Sequence, residues 1–306
     1  MSMARRVHFL SCETRTASAN GTAPRDLYAR TQRRLPKDAV VHNLCAGLRY
    51  TGNMLKPQQV LKYAQTADPR ALLVFTDTDL LINVKLSSAE LLERFEAARG
   101  SARVLFQAEH TCFAPRDELI GGRRRPRTHC NEQMLHAYAA VNRRRQPWTC
   151  PRFLNSGAYA GFAADLLPLL QLWSQPRLPS VAPCTERPRY GWEDQCIATS
   201  LILQRNASIA LDTGEAIFAT AAAVRPCTTT RSKCWECGRP KEANGIRRPR
   251  CESDETLVWT RQADGRLHRL SSYLSQCGTS LAPFAIHFNG PAKRLMAHPM
   301  IQAITY

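Results

Sequence analysis

The sequence has no long apolar run and few acidic residues for its length. No apolar stretch in the 306 residues approaches the roughly 20 that a membrane-spanning helix needs, so we expect no transmembrane segment. The start, Met1–Cys12, does not contain the apolar run of about 7–15 residues that a secretory signal requires. Internal repeats are missing too, and 44% hydrophobic with 22% charged residues is an ordinary globular composition. Fibrous and wholly disordered classes are therefore excluded.

The shortage of acidic residues leaves a strongly basic chain. Asp and Glu number 25 against 42 Lys and Arg, for a formal charge of +17. Much of the excess lies in arginine runs at 123–127, 143–145 and 247–250. Such runs bind polyanions, although a solvated basic surface explains them as well. Aromatic residues do not alternate with these runs, and helix-turn-helix and zinc-finger spacings are absent around them, so charge alone identifies no partner.

The 12 cysteines leave two interpretations open. Cys234 and Cys237 form a Cys-x-x-Cys pair in the cysteine-rich stretch 225–280, and with Cys227 and Cys251 they would suit a structural zinc. In an oxidising compartment, disulfides would explain the same residues. Two Asn-x-Ser/Thr sequences fit such a compartment, whereas the missing signal argues against it. The compartment stays undetermined.

Strand and helix patterns alternate along the chain. Ala71–Phe75 is a short apolar run typical of a buried parallel strand, and Ser87–Ala98 is the clearest helix. Ser87 and Glu90 have capping-box spacing, and Gly100 predicts the helix end. Further strands are predicted at 6–12, 104–106 and 153–162, and further helices at 26–34, 56–67, 165–173 and 193–203.

This alternation predicts an α/β fold with a mainly parallel sheet flanked by helices. We expect a single domain over residues 1–306, with the cysteine-rich stretch 225–280 as an insertion or lid within it. Residues 115–150 are polar and arginine-rich, and we expect an irregular surface segment there.

Two carboxylates come directly after the predicted strand Ala71–Phe75. In open α/β sheets ligands bind beyond the carboxyl ends of the strands, which is where Asp77 and Asp79 fall. Residues two apart in an extended segment can point to the same side. Such a pair suits Mg²⁺ or Mn²⁺ holding a diphosphate, although two solvated aspartates in a turn are the commoner arrangement.

Three further patches carry polar groups suited to a ligand site. Small residues at Asn155, Ser156 and Gly157 allow a close backbone approach, and the alternative is a turn. The stretch Trp192–Gln195 places acidic residues at a helix start, where electrostatics favours them in any case. His287–Lys293 combines an imidazole, an amide, a glycine turn and a cation, which favours a phosphate and metal site over a structural histidine.

Five segments, taken together, resemble the glycosyltransferase domain of procollagen lysyl hydroxylases and the procollagen galactosyltransferase-like family. They occur in the family's order and the likeness extends from about residue 6 to 295. The segments are Val104–Pro115, Phe153–Gly157, Glu193–Gln195, Leu211–Phe218 and His287–Lys293.

The resemblance implies a GT-A (Rossmann-like) fold and a Mn²⁺- or Mg²⁺-dependent transfer of glucose or galactose from a UDP-sugar, with retention of configuration. The implied acceptor is a hydroxyl group, of the hydroxylysine type, on a protein. It also implies site residues by motif position. The implied metal ligands are Asp77, Asp79 and His287. The implied diphosphate contacts are Lys56, Asn289, Gly290 and Lys293. The sugar and acceptor side would be lined by Asn155, Ser156, Gly157, Glu193 and Asp194, and the catalytic candidates are Glu193 and Asp194.

The sequence also departs from that family. One residue separates the two metal aspartates where the family usually has two, Glu193 replaces an aspartate, and the stretch 225–280 has no counterpart. The hydroxylase domain is absent, so lysine hydroxylation is not predicted. Two alternatives to protein glycosylation stay open: glucosyl transfer to a modified DNA base, and a non-enzymatic GT-A module that binds a polyanion through its basic face.

Overall fold

The computed structural model describes residues 6–14, 27–110, 116–120, 123–127, 138, 150–174, 194–203, 208–223, 256–257, 259–263, 266–269, 279–288, 293, 296 and 301. The helices in this part are α1 (Leu27–Thr31), α2 (Leu55–Ala64), α3 (Ser88–Arg99), α4 (Ala163–Trp173) and α5 (Asp194–Leu203), with a 3-10 turn at Gln32–Arg34. The strands are β1 (Val7–Ser11), β2 (Val40–Asn43), β3 (Leu72–Thr76), β4 (Leu80–Ile82), β5 (Val104–Glu109), β6 (Arg116–Ile120), β7 (Arg123–Arg127), β8 (Phe153–Phe162), β9 (Ile209–Asp212), β10 (Phe218–Thr220), β11 (Ala222–Ala223), β12 (Thr256–Leu257), β13 (Trp259–Arg261), β14 (Leu267–Arg269) and β15 (Ala285–His287).

A six-stranded sheet with the order β2-β1-β3-β8-β5-β9 forms the centre of the structure. All of its strands run in the same direction except β8, which pairs antiparallel with β3 on one side and β5 on the other. The predicted α/β fold with a mainly parallel sheet is therefore confirmed. The carboxyl ends of β3 and β5 lie at the same end of the sheet, on either side of β8.

Both faces of the central strands of this sheet are buried. Successive side chains of a strand point to opposite faces, so Leu73 and Phe75 belong to one hydrophobic cluster while Leu72 and Val74 belong to the other. Residues of α2, α4 and α5 cover the first face, and residues of α1 and α3 cover the second. A strand covered on both sides needs apolar residues throughout, which explains the uninterrupted run at Ala71–Phe75.

A small three-stranded sheet with the order β10-β15-β4 lies beside the central one. In its register His287, the last residue of β15, pairs with Leu80, the first residue of β4. Because β4 follows β3 after only three residues, this pairing brings His287 to the turn that carries Asp77 and Asp79.

The predicted capping box of α3 is present. The Glu90 backbone N–H donates to Ser87 Oγ over 3.2 Å, and the Ser87 backbone N–H donates to Glu90 Oε2 over 2.7 Å. Such a cap stabilises a helix by about 1 kcal/mol. Gly100 follows at the C-terminal cap with a positive φ of 57°, as the end signal in the sequence requires.

Several strands of the structure were not predicted from the sequence, among them β2, β4 and the strands β9 to β15. β2 is a partly exposed edge strand with polar residues, and β4 has only 3 residues. Within the segment 115–150, β6 and β7 pair as an antiparallel hairpin, where an irregular segment was expected. The arginine run 123–127 is thus one strand of a β-ribbon.

A disulfide joins Cys12, which follows β1, to Cys45, which follows β2. Cys227, Cys234, Cys237 and Cys251 lie outside the described residues, so the structure does not address a zinc site there. In the part of the chain that the structure describes, no helix is long and apolar enough to cross a membrane.

Candidate metal and donor site

A compact group of possible metal ligands lies beyond the carboxyl end of β3 and consists of Asp77, Asp79 and His287. One oxygen from each carboxylate and one imidazole nitrogen lie within 4.8 Å of one another. Asp79 and His287 are buried, whereas Asp77 is partly exposed. Two carboxylates with an imidazole are a donor set that divalent cations such as Mg²⁺ and Mn²⁺ accept, so the group is able to hold a metal.

Asp79 has a cationic or hydrogen-bonding partner at each carboxylate oxygen. Its Oδ1 lies 2.9 Å from His287 Nε2 and its Oδ2 lies 2.8 Å from Lys293 Nζ. Burial by itself would raise the pKa of this carboxyl, but His287 and Lys293 outweigh burial and hold the pKa of Asp79 well below its usual range. Burial would likewise lower the pKa of His287, and the charge of Asp79 reverses that effect and raises it. Asp79 is therefore ionised wherever the protein is folded near neutral pH.

Asp77 is paired with a lysine from α2. Lys56 Nζ lies 2.8 Å from Asp77 Oδ1 and 4.0 Å from Asp194 Oδ2, so a single ammonium faces two carboxylates. Burial by itself would lower the pKa of Lys56, but Asp77 and then Asp194 outweigh burial and raise the pKa above its usual value. Lys56 was expected to contact the diphosphate. In the structure it forms an ion pair with Asp77, one of the candidate metal ligands.

Gln107 of β5 fixes the orientation of the His287 imidazole. Gln107 Nε2 donates to the Ala219 carbonyl over 2.9 Å, which turns Gln107 Oε1 toward His287 Nδ1 at 2.8 Å. Because Oε1 is an acceptor, the His287 proton lies on Nδ1 in the neutral ring, and the lone pair of Nε2, which faces Asp79, would be available to a metal ion. This is the arrangement in which an outer partner orients a metal-ligating histidine.

We expect Gln107→Leu to weaken divalent-cation binding about 10- to 100-fold, because the His287 ring loses the acceptor that selects its tautomer. The buried Ala219 carbonyl also loses its donor, so the free energy of unfolding should fall by about 1–3 kcal/mol. Titration with Mn²⁺ and chemical denaturation measure the two effects. Gln65→Leu, at an exposed position after α2, is the control. Unchanged Mn²⁺ affinity in Gln107→Leu would contradict the assignment.

Gly157 of β8 lies against the candidate metal ligands Asp77 and His287. A Cβ built there would be 2.4 Å from His287 Cε1 and 2.9 Å from both Asp77 Oδ2 and Asn155 Oδ1. The register between β8 and β5 also shifts between Phe106 and Gln107, as at a β-bulge. The groups that lie closest to Gly157 are side chains of this protein, two of them from the candidate metal ligands Asp77 and His287.

The other predicted residues of β8 and α5 converge on the same edge. Asn155 and Ser156 are buried, and the Ser156 side chain hydrogen-bonds Asp194, the first residue of α5. Trp173 Nε1 donates to the Asp194 carbonyl over 2.8 Å, which fastens α5 to α4. Burial raises the pKa of Asp194, with Lys56 acting against that rise. Asp194 is therefore a buried carboxyl that shares Lys56 with Asp77, one of the candidate metal ligands.

Most of the predicted site residues thus meet at one place. The structure brings together those on α2, the β3–β4 turn, β8, α5 and β15, and Lys293 joins them. Glu193, Asn289 and Gly290 lie outside the described residues. Sequence reasoning assigned no role to Gln107 and Glu109, two buried polar residues on the otherwise apolar β5. Their polarity and their spacing of two within a buried strand were the available signal.

Comparisons with known proteins relate the chain to solved structures only: no protein-family model and no curated protein matches it. It is similar to a glycosyltransferase involved in the glycosylation of the major capsid of PBCV-1, at 8% identity and a TM-score of 0.46, over 98% of this chain and 100% of that one. It is similar to mouse xyloside xylosyltransferase 1 at 12% identity and a TM-score of 0.40, over 93% and 97% of the two chains. A third similar structure is 4-diphosphocytidyl-2C-methyl-D-erythritol synthase from Anaerococcus prevotii, at 10% identity and a TM-score of 0.33, over 68% and 88%. At these identities the likeness concerns the fold alone.

Proposed function

We propose that the protein is a metal-dependent glycosyltransferase that moves glucose or galactose from a UDP-sugar to a hydroxyl group, with retention of configuration. The observation that carries the proposal is the group of Asp77, Asp79 and His287 at the carboxyl edge of the sheet. The sequence resemblance to the glycosyltransferase domain of procollagen lysyl hydroxylases implies the same task for these residues. The proposed acceptor is a hydroxylysine-type residue of a protein.

The charges around the group suit a nucleotide diphosphate leaving group. A divalent cation, Mn²⁺ or Mg²⁺, would supply positive charge where the departing diphosphate becomes more negative. Lys293 is half exposed beside Asp79, so its ammonium is accessible to a phosphate oxygen. Asn289 and Gly290 are proposed diphosphate contacts in the same stretch. Lys56 keeps Asp77 in place and neutralises part of the negative charge of the carboxylates.

The proposed acceptor side lies at the start of α5. Asp194 is buried next to Lys56, and Ser156 orients its carboxyl group. A carboxylate there can orient an acceptor hydroxyl or stabilise positive charge on the sugar ring. Glu193 is proposed for the same task, with Asn155 to Gly157 beside the sugar.

Release of UDP from a panel of UDP-sugars by the purified protein, with Mn²⁺ and with a chelator, tests this proposal. We expect turnover of UDP-glucose or UDP-galactose that the chelator abolishes and Mn²⁺ restores. Determination of the product anomer by NMR tests retention. Failure of every donor, together with no detectable UDP binding, would refute the proposal.

A second candidate, glucosyl transfer to a modified base of DNA, is favoured by the β6–β7 hairpin. Its register pairs Arg127 with Arg116 and Arg125 with Glu118, so arginines lie along a two-stranded ribbon. A ribbon of this kind fits the major groove of DNA, and arginine supplies the phosphate contacts. Salt-dependent binding to duplex DNA, and transfer to hydroxyl-bearing bases, distinguish it from a protein acceptor.

The Cys12–Cys45 disulfide favours an oxidising compartment for the proposed transfer to a protein acceptor. Disulfides persist in the secretory pathway and outside the cell and are rare in the cytosol. Mass spectrometry of the natural protein after alkylation without reduction tests this inference. Two alkylated thiols at Cys12 and Cys45 would overturn it.

A further inference from the structure

Glu109, the last residue of β5, is a buried carboxylate that joins three elements of the site. Its side chain is only 5% exposed. Asn155 Nδ2, from β8, donates to Glu109 Oε2 over 3.1 Å, and Gln195 Nε2, from α5, donates to Glu109 Oε1. One acidic group therefore holds one side chain from each of the two elements that carry the proposed sugar and acceptor residues.

Only an acceptor can fill this position. Asn155 and Gln195 each present an amide NH₂ group to Glu109, and an ionised carboxylate accepts at both of its oxygens. The contact fixes which way the Asn155 amide points, because Nδ2 must face Glu109. Asn155 Oδ1 then accepts from the Gly157 backbone N–H over 2.8 Å. Gln195 Nε2 also donates to the Leu154 carbonyl over 3.0 Å.

These contacts extend from Glu109 to the metal ligands and to Asp194. Asn155 holds Gly157, and one Cα hydrogen of Gly157 faces His287 and Asp77. The Asp77 backbone N–H in turn donates to the Gly157 carbonyl over 2.7 Å. On the side of Gln195, its backbone N–H donates to Asp194 Oδ1 over 2.9 Å. A change at Glu109 is thereby transmitted to both sides of the site.

We propose that Glu109 is a positioning residue for the transfer reaction. It acts through Asn155 and Gln195, which set the place of Gly157 beside the metal ligands and of Asp194 at the acceptor side. The inference rests on the proposed glycosyltransferase function for its effect on turnover. Its effect on metal binding does not require turnover.

The test is a cycle of three variants: Glu109→Gln, Asn155→Asp and the double variant. In Glu109→Gln no orientation of the new amide accepts from both NH₂ groups, and in Asn155→Asp two carboxylates face each other. The double variant restores the hydrogen bond between positions 109 and 155, because the new amide at position 109 can donate its NH₂ group to the new carboxylate at position 155. The oxygen of the same amide still accepts from Gln195, and the Gly157 N–H still finds an acceptor at position 155.

We expect each single variant to lower kcat and Mn²⁺ affinity about 10- to 100-fold, as loss of an outer partner of a metal site does. The double variant should recover both quantities to within about threefold of the natural protein. Glu90→Gln is the matched control, because Glu90 also accepts two hydrogen bonds from Ser87 but lies in the cap of α3. It should change neither quantity.

A double variant as impaired as Glu109→Gln would overturn the proposal. The site would then require the negative charge of Glu109 and not its hydrogen bonds to Asn155 and Gln195. Unchanged kcat and Mn²⁺ affinity in both single variants would overturn it as well. If the natural protein turns over no donor, the proposed function fails. The Mn²⁺ affinities of the three variants still show whether Glu109 positions the metal-binding residues or has no role in metal binding.

Discussion

Asp77→Asn is expected to lower UDP-sugar turnover by at least about 1,000-fold. The substitution keeps the size of the side chain but removes one of the two negative charges in the ligand group that Asp77 forms with Asp79 and His287. An amide oxygen is a much weaker ligand for a hard cation than a carboxylate. Loss of metal-based charge stabilisation costs several kcal/mol of transition-state energy, which corresponds to this factor.

The same substitution is expected to cost stability, because Lys56 loses its nearest partner. Side chains of Lys56 and Asp77 are only 18% and 22% exposed, and the next carboxylate, Asp194, is 4.0 Å away. An ammonium left in such surroundings destabilises the folded state, here by about 1–3 kcal/mol. Chemical denaturation in the absence of metal measures this effect separately from turnover.

Asp68→Asn is the matched control for Asp77→Asn. Asp68 precedes β3 as Asp77 follows it, and its pair with Arg70 is exposed, with side chains 53% and 60% accessible. Removal of a charge there should change stability by no more than about 0.5 kcal/mol and leave turnover unchanged. If Asp77→Asn kept more than a tenth of the natural activity at saturating Mn²⁺, the metal site would be assigned to the wrong residues.

Gly157→Ala is expected to lower both Mn²⁺ affinity and turnover by at least about 100-fold. Its new methyl group would lie 2.4 Å from His287 Cε1 and 2.9 Å from Asp77 Oδ2, closer than atoms can approach. Both contacts are with the proposed metal ligands, so either a ligand or the backbone of β8 must move. A displacement of about 1 Å in a catalytic group costs about 100-fold in rate.

Gly161→Ala on the same strand separates this effect from overpacking. A Cβ at Gly161 would meet Leu166 Cγ at 2.9 Å and Val104 Cγ2 at 3.3 Å, which are core atoms away from the ligands. Both variants should lose about 1–3 kcal/mol of stability through overpacking. Only Gly157→Ala should lose metal affinity in a Mn²⁺ titration. Equal losses of affinity in the two variants would show that Gly157 has no special place at the site.

Local sequence patterns were sufficient for the helices and the buried strand that carry the site. The run Ala71–Phe75 predicted β3, and the Ser87 and Glu90 pair with Gly100 predicted both ends of α3. Asp77 and Asp79 could be placed at the edge of the sheet because the end of β3 could be placed. These features depend on residues a few positions apart, which determine backbone conformation locally.

The direction of β8 was not available from the sequence. A buried strand has the same apolar pattern whether it runs parallel or antiparallel to its neighbours, so Phe153–Phe162 gave no sign of its reversal. β2 was missed because an exposed edge strand needs no apolar pattern. The β6–β7 hairpin was missed because its arginines have the composition of a loop.

The sequence by itself determined the α/β class, the strand that ends at Asp77 and the chemical types of the site residues. Only the tertiary structure decided which of them meet. His287 reaches Asp79 across 208 positions through the pairing of β15 with β4, and Lys56 reaches Asp77 from α2. The contacts behind the proposed roles of Gln107 and Glu109 likewise join distant segments. Contacts between distant segments depend on how strands pair and helices pack, and this information is spread over the whole chain rather than written in any one motif.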